Sequence, residues 1–142
     1  MRLVLDTDVL VAAIRSDTGA ARRLLRGAIE RNFVLLVSTS LLIEYEAVMT
    51  RTQHLDASGL TEADVGALLD AVTATAHPVR LPFHWRPLLR DPDDDMVMET
   101  AVNGGAAAIV TFNIKDFAGM TARFGIETLT PGQAVRQLEL GS

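Results

Sequence analysis

Short apolar runs alternate with helical periodicities along the whole chain. The first run, Leu3-Val4-Leu5, sits in a predicted strand Arg2–Leu5 that ends on Asp6-Thr7-Asp8. Apolar positions from Val9 to Ile14 then predict a helix. Gly19–Asn32 reads as a second helix, with Leu24, Leu25, Ala28 and Ile29 inward and Arg22, Arg23, Arg26 and Arg31 on a solvated face. Phe33–Val37 is a second strand. Ser38, Thr39 or Ser40 caps the next helix, whose inward stripe is Leu41, Leu42, Tyr45, Val48 and Met49. Arg51–Leu60 is weakly patterned, a loop or short helix. Thr61-Glu62-Ala63-Asp64 has the form of a capping box and opens a helix running to about Ala74. Val79–Leu81 reads as a short third strand. Pro78, Pro82 and Pro87 mark an irregular connection carrying His84, Arg86 and Trp85, the last read as a packing residue.

The segment Arg90–Phe117 is the most organised part of the chain. Asp91, Asp93, Asp94 and Asp95 are broken only by Pro92, and Val97, Met98, Ala101 and Val102 continue at helical spacing. Gly104-Gly105 stops that helix, because glycine takes the left-handed conformation of a C-terminal cap. Ala107–Thr111 is too apolar to have one wet face and reads as a buried strand. The chain turns polar at Asn113 and Asp116, where a loop is expected. A strand Gly125–Leu129 follows, and Thr130-Pro131 opens a final helix. Five strand-like runs alternating with helices argue for an α/β sandwich with a parallel sheet, in a single domain over residues 1–142.

Composition narrows the chemistry. The chain is long enough to bury a core without staples, and it has no cysteine, which removes disulfides and thiolate metal sites. No apolar run approaches a membrane span, and the N-terminus lacks a signal-peptide layout, so a cytoplasmic protein is expected. The formal net charge of −5 means that bulk charge does not hold a nucleic acid. A polyanionic substrate would need a local basic rim, or metal ions that neutralise an acidic site.

The acids supply that second option. Capping explains one or two aspartates in the run 91–95, but mutual repulsion grows with each addition. Asp94 shares the inward face of Val97, Met98 and Ala101, and Asp95 falls on a more mixed face with Met98, Glu99 and Val102. Asp94 is therefore the first candidate and Asp95 the reserve. Asp6 ends the first strand, Glu44 lies on the flank of its helix's buried stripe, and Asp116 follows the later strand. An α/β fold can bring Asp6, Glu44, Asp94 and Asp116 to one cleft. Carboxylates ~4 Å apart at an effective dielectric of ~20 repel by ~4 kcal/mol per pair, so such a cluster must bind protons or cations. All-oxygen ligation points to Mg²⁺ or Mn²⁺ rather than zinc. The matching chemistry is hydrolysis of phosphodiesters.

These residues also carry a resemblance. Leu3-Val4-Leu5-Asp6-Thr7-Asp8-Val9-Leu10, Leu42-Ile43-Glu44-Tyr45, Arg90-Asp91-Pro92-Asp93-Asp94, Ile109–Phe117 and Leu129-Thr130-Pro131 resemble the PIN-domain family, metal-dependent ribonucleases that include VapC-like toxins of bacterial toxin–antitoxin pairs. The likeness runs from Arg2 to about Val135 and is least distinctive over residues 52–80. It implies a five-stranded parallel sheet in the order 3-2-1-4-5. It also implies that Asp6, Glu44, Asp94 and Asp116 form the acidic, metal-binding cluster, lined by Thr111 and Asn113. RNA as substrate, a homodimer and often a small antitoxin that blocks the cleft follow from it as well. Asp8 departs from the pattern, since the family often has Asn or Ser there. Two alternatives compete: a non-catalytic RNA- or protein-binding module, and a haloacid-dehalogenase-type phosphatase using Asp6 and Asp8. The phosphatase needs a separate lysine, and the only lysine, Lys115, adjoins Asp116.

Overall fold

The computed structural model describes residues 1–81 and 92–140, without the side chains of Pro92, Asp93 and Met120. The proline-marked connection with His84, Trp85 and Arg86, and Asp91 at the head of the acidic run, lie outside the described residues. Among the described residues the strands are β1 (Arg2–Leu5), β2 (Val34–Val37), β3 (His77–Pro78), β4 (Ala108–Val110) and β5 (Glu127–Leu129). The helices are α1 (Thr7–Arg15), α2 (Ala20–Ile29), α3 (Thr39–Met49), α4 (Thr52–Ser58), α5 (Glu62–Thr75), α6 (Pro92–Gly104), α7 (Ile114–Arg123) and α8 (Pro131–Leu138). No helix among them is long and apolar enough to cross a membrane.

The strands form one parallel sheet in the order β3-β2-β1-β4-β5 inside an α/β/α sandwich. β1 is central because it is apolar on both faces: Leu3, Val4 and Leu5 are wholly buried. The same holds for Ala108, Ile109 and Val110 of β4, which pairs with it. α6 packs over β1, β2 and β4, while α2 packs on α1, α5 and α8. Strand order reverses direction at β1, so the crevice that α/β sheets use for ligands opens beyond the carboxyl ends of β1 and β4.

The expected caps are in place. Asp64 and Thr61 exchange side-chain and backbone bonds at the start of α5, and Thr130 and Gln133 do so at α8. Gly105, with φ 64°, ends α6, and Ala106 N–H reaches back to the Ala101 carbonyl at 2.9 Å.

Two expectations need adjustment and one open alternative is decided. The third strand pairs through His77 and Pro78 rather than Val79–Leu81. α5 stops at Thr75 and its extended C-cap leads straight into the sheet edge, where Pro78 costs no central ladder bond. Arg51–Leu60 resolves into the short helix α4. The segment after Asp116, expected as a loop, is helix α7: Phe117 and Thr121 are buried one turn apart, and Gly119 hid that pattern in the sequence.

Two glycines in helices predict opposite responses to Ala. A Cβ on Gly104 would come within 2.8 Å of both Leu36 and Val79 side chains in the core. Gly104→Ala should therefore destabilise the protein by ~1–3 kcal/mol. Gly66, inside α5, has open space around it. Gly66→Ala should stabilise by up to ~1 kcal/mol through helix propensity alone. Urea midpoints at constant m-value check both signs.

Candidate active site at the carboxyl ends of the strands

Asp6 follows directly on β1 and is 7% exposed. Its backbone N–H continues the sheet by bonding the Val110 carbonyl at 2.9 Å. Its carboxylate caps α1, with Oδ1 accepting from Thr7 N–H at 2.8 Å and Oδ2 accepting from the Thr111 hydroxyl at 2.7 Å. Capping and facing the cleft are thus the same side chain's two tasks.

Asp8, two residues further on in the first turn of α1, shares the cleft. Its Oδ2 accepts from Phe112 N–H at 3.2 Å and from Asn113 Nδ2 at 3.1 Å. Its Oδ1 is buried with no hydrogen-bond partner. The carboxyls of Asp6 and Asp8 come close enough to interact through a shared proton. Burial, and then the charge of Asp6, push Asp8 up to about 7. Burial also raises Asp6, opposed by the bonds from Thr111 and Thr7 and assisted by the charge of Asp116. The Tyr45 phenol beside them is pushed well above its usual value by burial and by Asp6.

Glu44 and Asp94 reach the same place from other parts of the chain. Asp6, Asp8, Glu44 and Asp94 line one cleft of about 300 Å³, with Arg51, His54 and Asn113 also on its wall. α3 is fixed there by two buried bonds. Ser38 Oγ, which caps α3 by accepting from Leu41 N–H, lies 2.8 Å from Thr100 Oγ1 on α6. Tyr45, next to Glu44, donates its hydroxyl to the carbonyl of Leu5, the residue before Asp6. Asp94 is half-buried on the cleft wall, whereas Asp95 is buried and does not line it.

Asp116 is placed differently. It sits in the first turn of α7 and is exposed, and it is not among the cleft-lining residues, although its charge is felt at Asp6. Thr111 is wholly buried and touches the site through Asp6. The places of Asp8, Arg51 and His54 in the cleft were not visible in the sequence: Asp8 read as a departure from a family pattern, and Arg51 and His54 lie in the weakly patterned stretch Arg51–Leu60. Lys115 is exposed on α7 and does not line the cleft, so the lysine that the phosphatase alternative needs is not in place.

The donor set is all oxygen and hard, suited to Mg²⁺ or Mn²⁺. Among the described residues no three acidic or imidazole side chains converge tightly enough to clasp an ion by themselves. Mg²⁺ binds in a looser way, through one or two carboxylates with its waters retained. The unpartnered Oδ1 of Asp8 beside the Asp6 carboxylate fits that mode, since a cation relieves both the orphaned oxygen and the repulsion.

A family model described as PIN domain matches residues 2–115 of this chain. No curated protein and no solved structure matches it.

The upward shifts of Asp6 and Asp8 set a sign. Without metal the folded protein binds more protons than the unfolded chain between pH 3.8 and about 7. Stability should therefore be greatest at the acid end of that window and fall as the pH rises through it. Asp8→Asn keeps an oxygen for Phe112 and Asn113 and turns the orphaned atom into a donor toward Asp6. Allowing for solvent screening, the gain should be ~1–2 kcal/mol in metal-free protein near pH 7.5, a melting increase of roughly 3–8 °C. Little change is expected at pH 4. Melting curves in EDTA across this range check it; identical pH profiles for both proteins would refute it.

Proposed function

The chain belongs to the PIN-domain family, whose members are generally nucleases, and from that premise we propose that it is a Mg²⁺- or Mn²⁺-dependent endoribonuclease. The observation that supports this most is the meeting of Asp6, Glu44 and Asp94, from three distant parts of the chain, in one cleft at the carboxyl ends of the strands. A site built only to stabilise the fold would not collect like charges at a sheet's ligand-binding edge.

Asp6 is the fixed point, oriented by Thr7 and Thr111 and anchored to the central strand. One or two of the cleft carboxylates, Asp6 with Asp8 first, would hold the ion with its waters retained, and Glu44 and Asp94 complete the acidic wall. Asp116 adds negative potential from the exposed start of α7 and is the fourth acid of the set. A bound divalent ion supplies an activated water and neutralises a phosphoryl oxygen. Asn113 and Phe112 N–H hold the Asp8 carboxyl through Oδ2, which leaves Oδ1 to take a proton or to face a cation. We further propose that the protein is the toxin of a toxin–antitoxin pair, acting in the cytoplasm as a homodimer and restrained by a small protein over the cleft. Light scattering of the purified protein and of a co-expressed pair tests the assembly.

Purified protein should cut RNA in Mg²⁺ or Mn²⁺ and lose that activity in EDTA; undiminished cleavage in EDTA would overturn the metal mechanism. Asp94→Asn should lower cleavage on the order of 100-fold. Asp95→Asn, corrected for folded fraction, and Asp93→Asn should lose far less, and a loss confined to Asp95→Asn would move the ligand one position along. The metal should also stabilise the fold: at Mn²⁺ ~100 times its dissociation constant the gain is ~2.7 kcal/mol. Calorimetry with and without Mn²⁺ reads this independently of any RNA.

A further inference from the structure

Arg15, Arg51 and His54 gather at the rim of the acidic cleft, and the acids leave them without a task. Arg15 ends α1, Arg51 precedes α4, and His54 lies within α4, which packs on α1. Nη1 of Arg15 is 3.4 Å from Nδ1 of His54. Arg51 and His54 line the same cleft as Asp6, Glu44 and Asp94. Both arginines are exposed, and neither forms a salt bridge among the described residues. Arg22 shows the ordinary alternative: it donates to the Ala13 carbonyl and pairs with Asp17 at 3.4 Å.

Two guanidiniums beside one imidazole repel each other, and among the described residues no carboxylate pairs with either to offset this. The arrangement lowers the basicity of His54 through partial burial and the charges of Arg15 and Arg51. Its Nδ1 then accepts from Arg15 and orients that guanidinium rather than adding a third charge. A chain of net charge −5 with a carboxylate-lined cleft repels a polyanion unless cations stand beside the acids. Guanidinium is the group best matched to phosphate oxygens.

We propose that Arg15 and Arg51, with His54 as the acceptor that aims Arg15, form a docking site for a backbone phosphate of the RNA adjoining the phosphate that is cut. The adjoining position rests on the nuclease function proposed above; the docking of phosphate does not. The arginines act as positioning residues, holding the strand across the acids without touching the reacting atoms.

The test compares wild type, R15A/R51A, R51K and R26A, the last on α2 away from the cleft. The probe is a fluorescein-labelled single-stranded RNA of about twelve nucleotides. Cleavage in Mn²⁺ is read as kcat and KM over a range of KCl, and binding is read by anisotropy in EDTA. R15A/R51A should raise KM roughly five- to tenfold with kcat within about twofold. The slope of log affinity against log salt should shrink by roughly 0.7 for each lost phosphate contact. R51K should recover part of the loss, and R26A should match wild type. A double variant with wild-type KM, binding and salt slope overturns the docking site while wild-type cleavage leaves the nuclease intact. Conversely, absent cleavage by wild type with weakened EDTA binding in R15A/R51A defeats the nuclease function and keeps the docking site. A loss in kcat alone also overturns the proposal, because positioning of a distant phosphate must register in binding.

Discussion

A carboxylate can be kept at the end of a buried strand only if the fold supplies the hydrogen bonds that water would have given it. Asp6 meets that condition with Thr7 N–H and the Thr111 hydroxyl, while its own N–H extends the ladder to Val110. The rest of the site depends on this one residue being fixed. Thr111 follows β4 and Thr7 begins α1, so Asp6 ties the two central strands and the first helix together at the point where strand order reverses.

Two further buried polar bonds carry that order outward to the other acids. Tyr45 reaches the Leu5 carbonyl, so the turn of α3 that bears Glu44 is held against the strand that bears Asp6. Ser38 meets Thr100, which links the start of α3 to the middle of α6, the helix whose first turns bear Asp94. Buried polar partners of this kind must meet in one geometry to be satisfied, whereas apolar side chains can slide. This gives the acids a common location although they are spread over some ninety positions of sequence.

Burial and neighbouring charges raise the affinity of the cleft carboxyls Asp6 and Asp8 for protons. Burial, and then the charge of Asp6, push Asp8 up to about 7, and one of its oxygens is left without a donor. Protons relieve this strain in acid, and a hard divalent ion would relieve it at neutral pH. The arginines at the rim have the opposite imbalance. Acids inside and cations at the lip give the cleft two signs of charge within one wall.

The sequence by itself determined the layering. Continuous apolar runs at Leu3–Leu5 and Ala107–Thr111 read as buried strands of a parallel sheet, because neither run has a face suited to water. It also marked Asp6 at the end of a strand and Glu44 on the flank of its helix's buried stripe, and preferred Asp94 over Asp95 from helical spacing, although the fold buries Asp95 the more deeply. The cleft wall holds Asp94 and not Asp95. What only the tertiary structure decided are matters of approach between distant segments. Asp116 lies outside the cleft wall because α7 begins before it and turns it to solvent. Asp8 becomes a half-buried partner of Asp6 because the backbone and side chain of the Phe112–Asn113 segment bond its carboxyl. Arg15 and His54, 39 positions apart in sequence, meet because α1 packs on α4. Periodicity reports which way a side chain faces on its own element, but not which other element will stand opposite it.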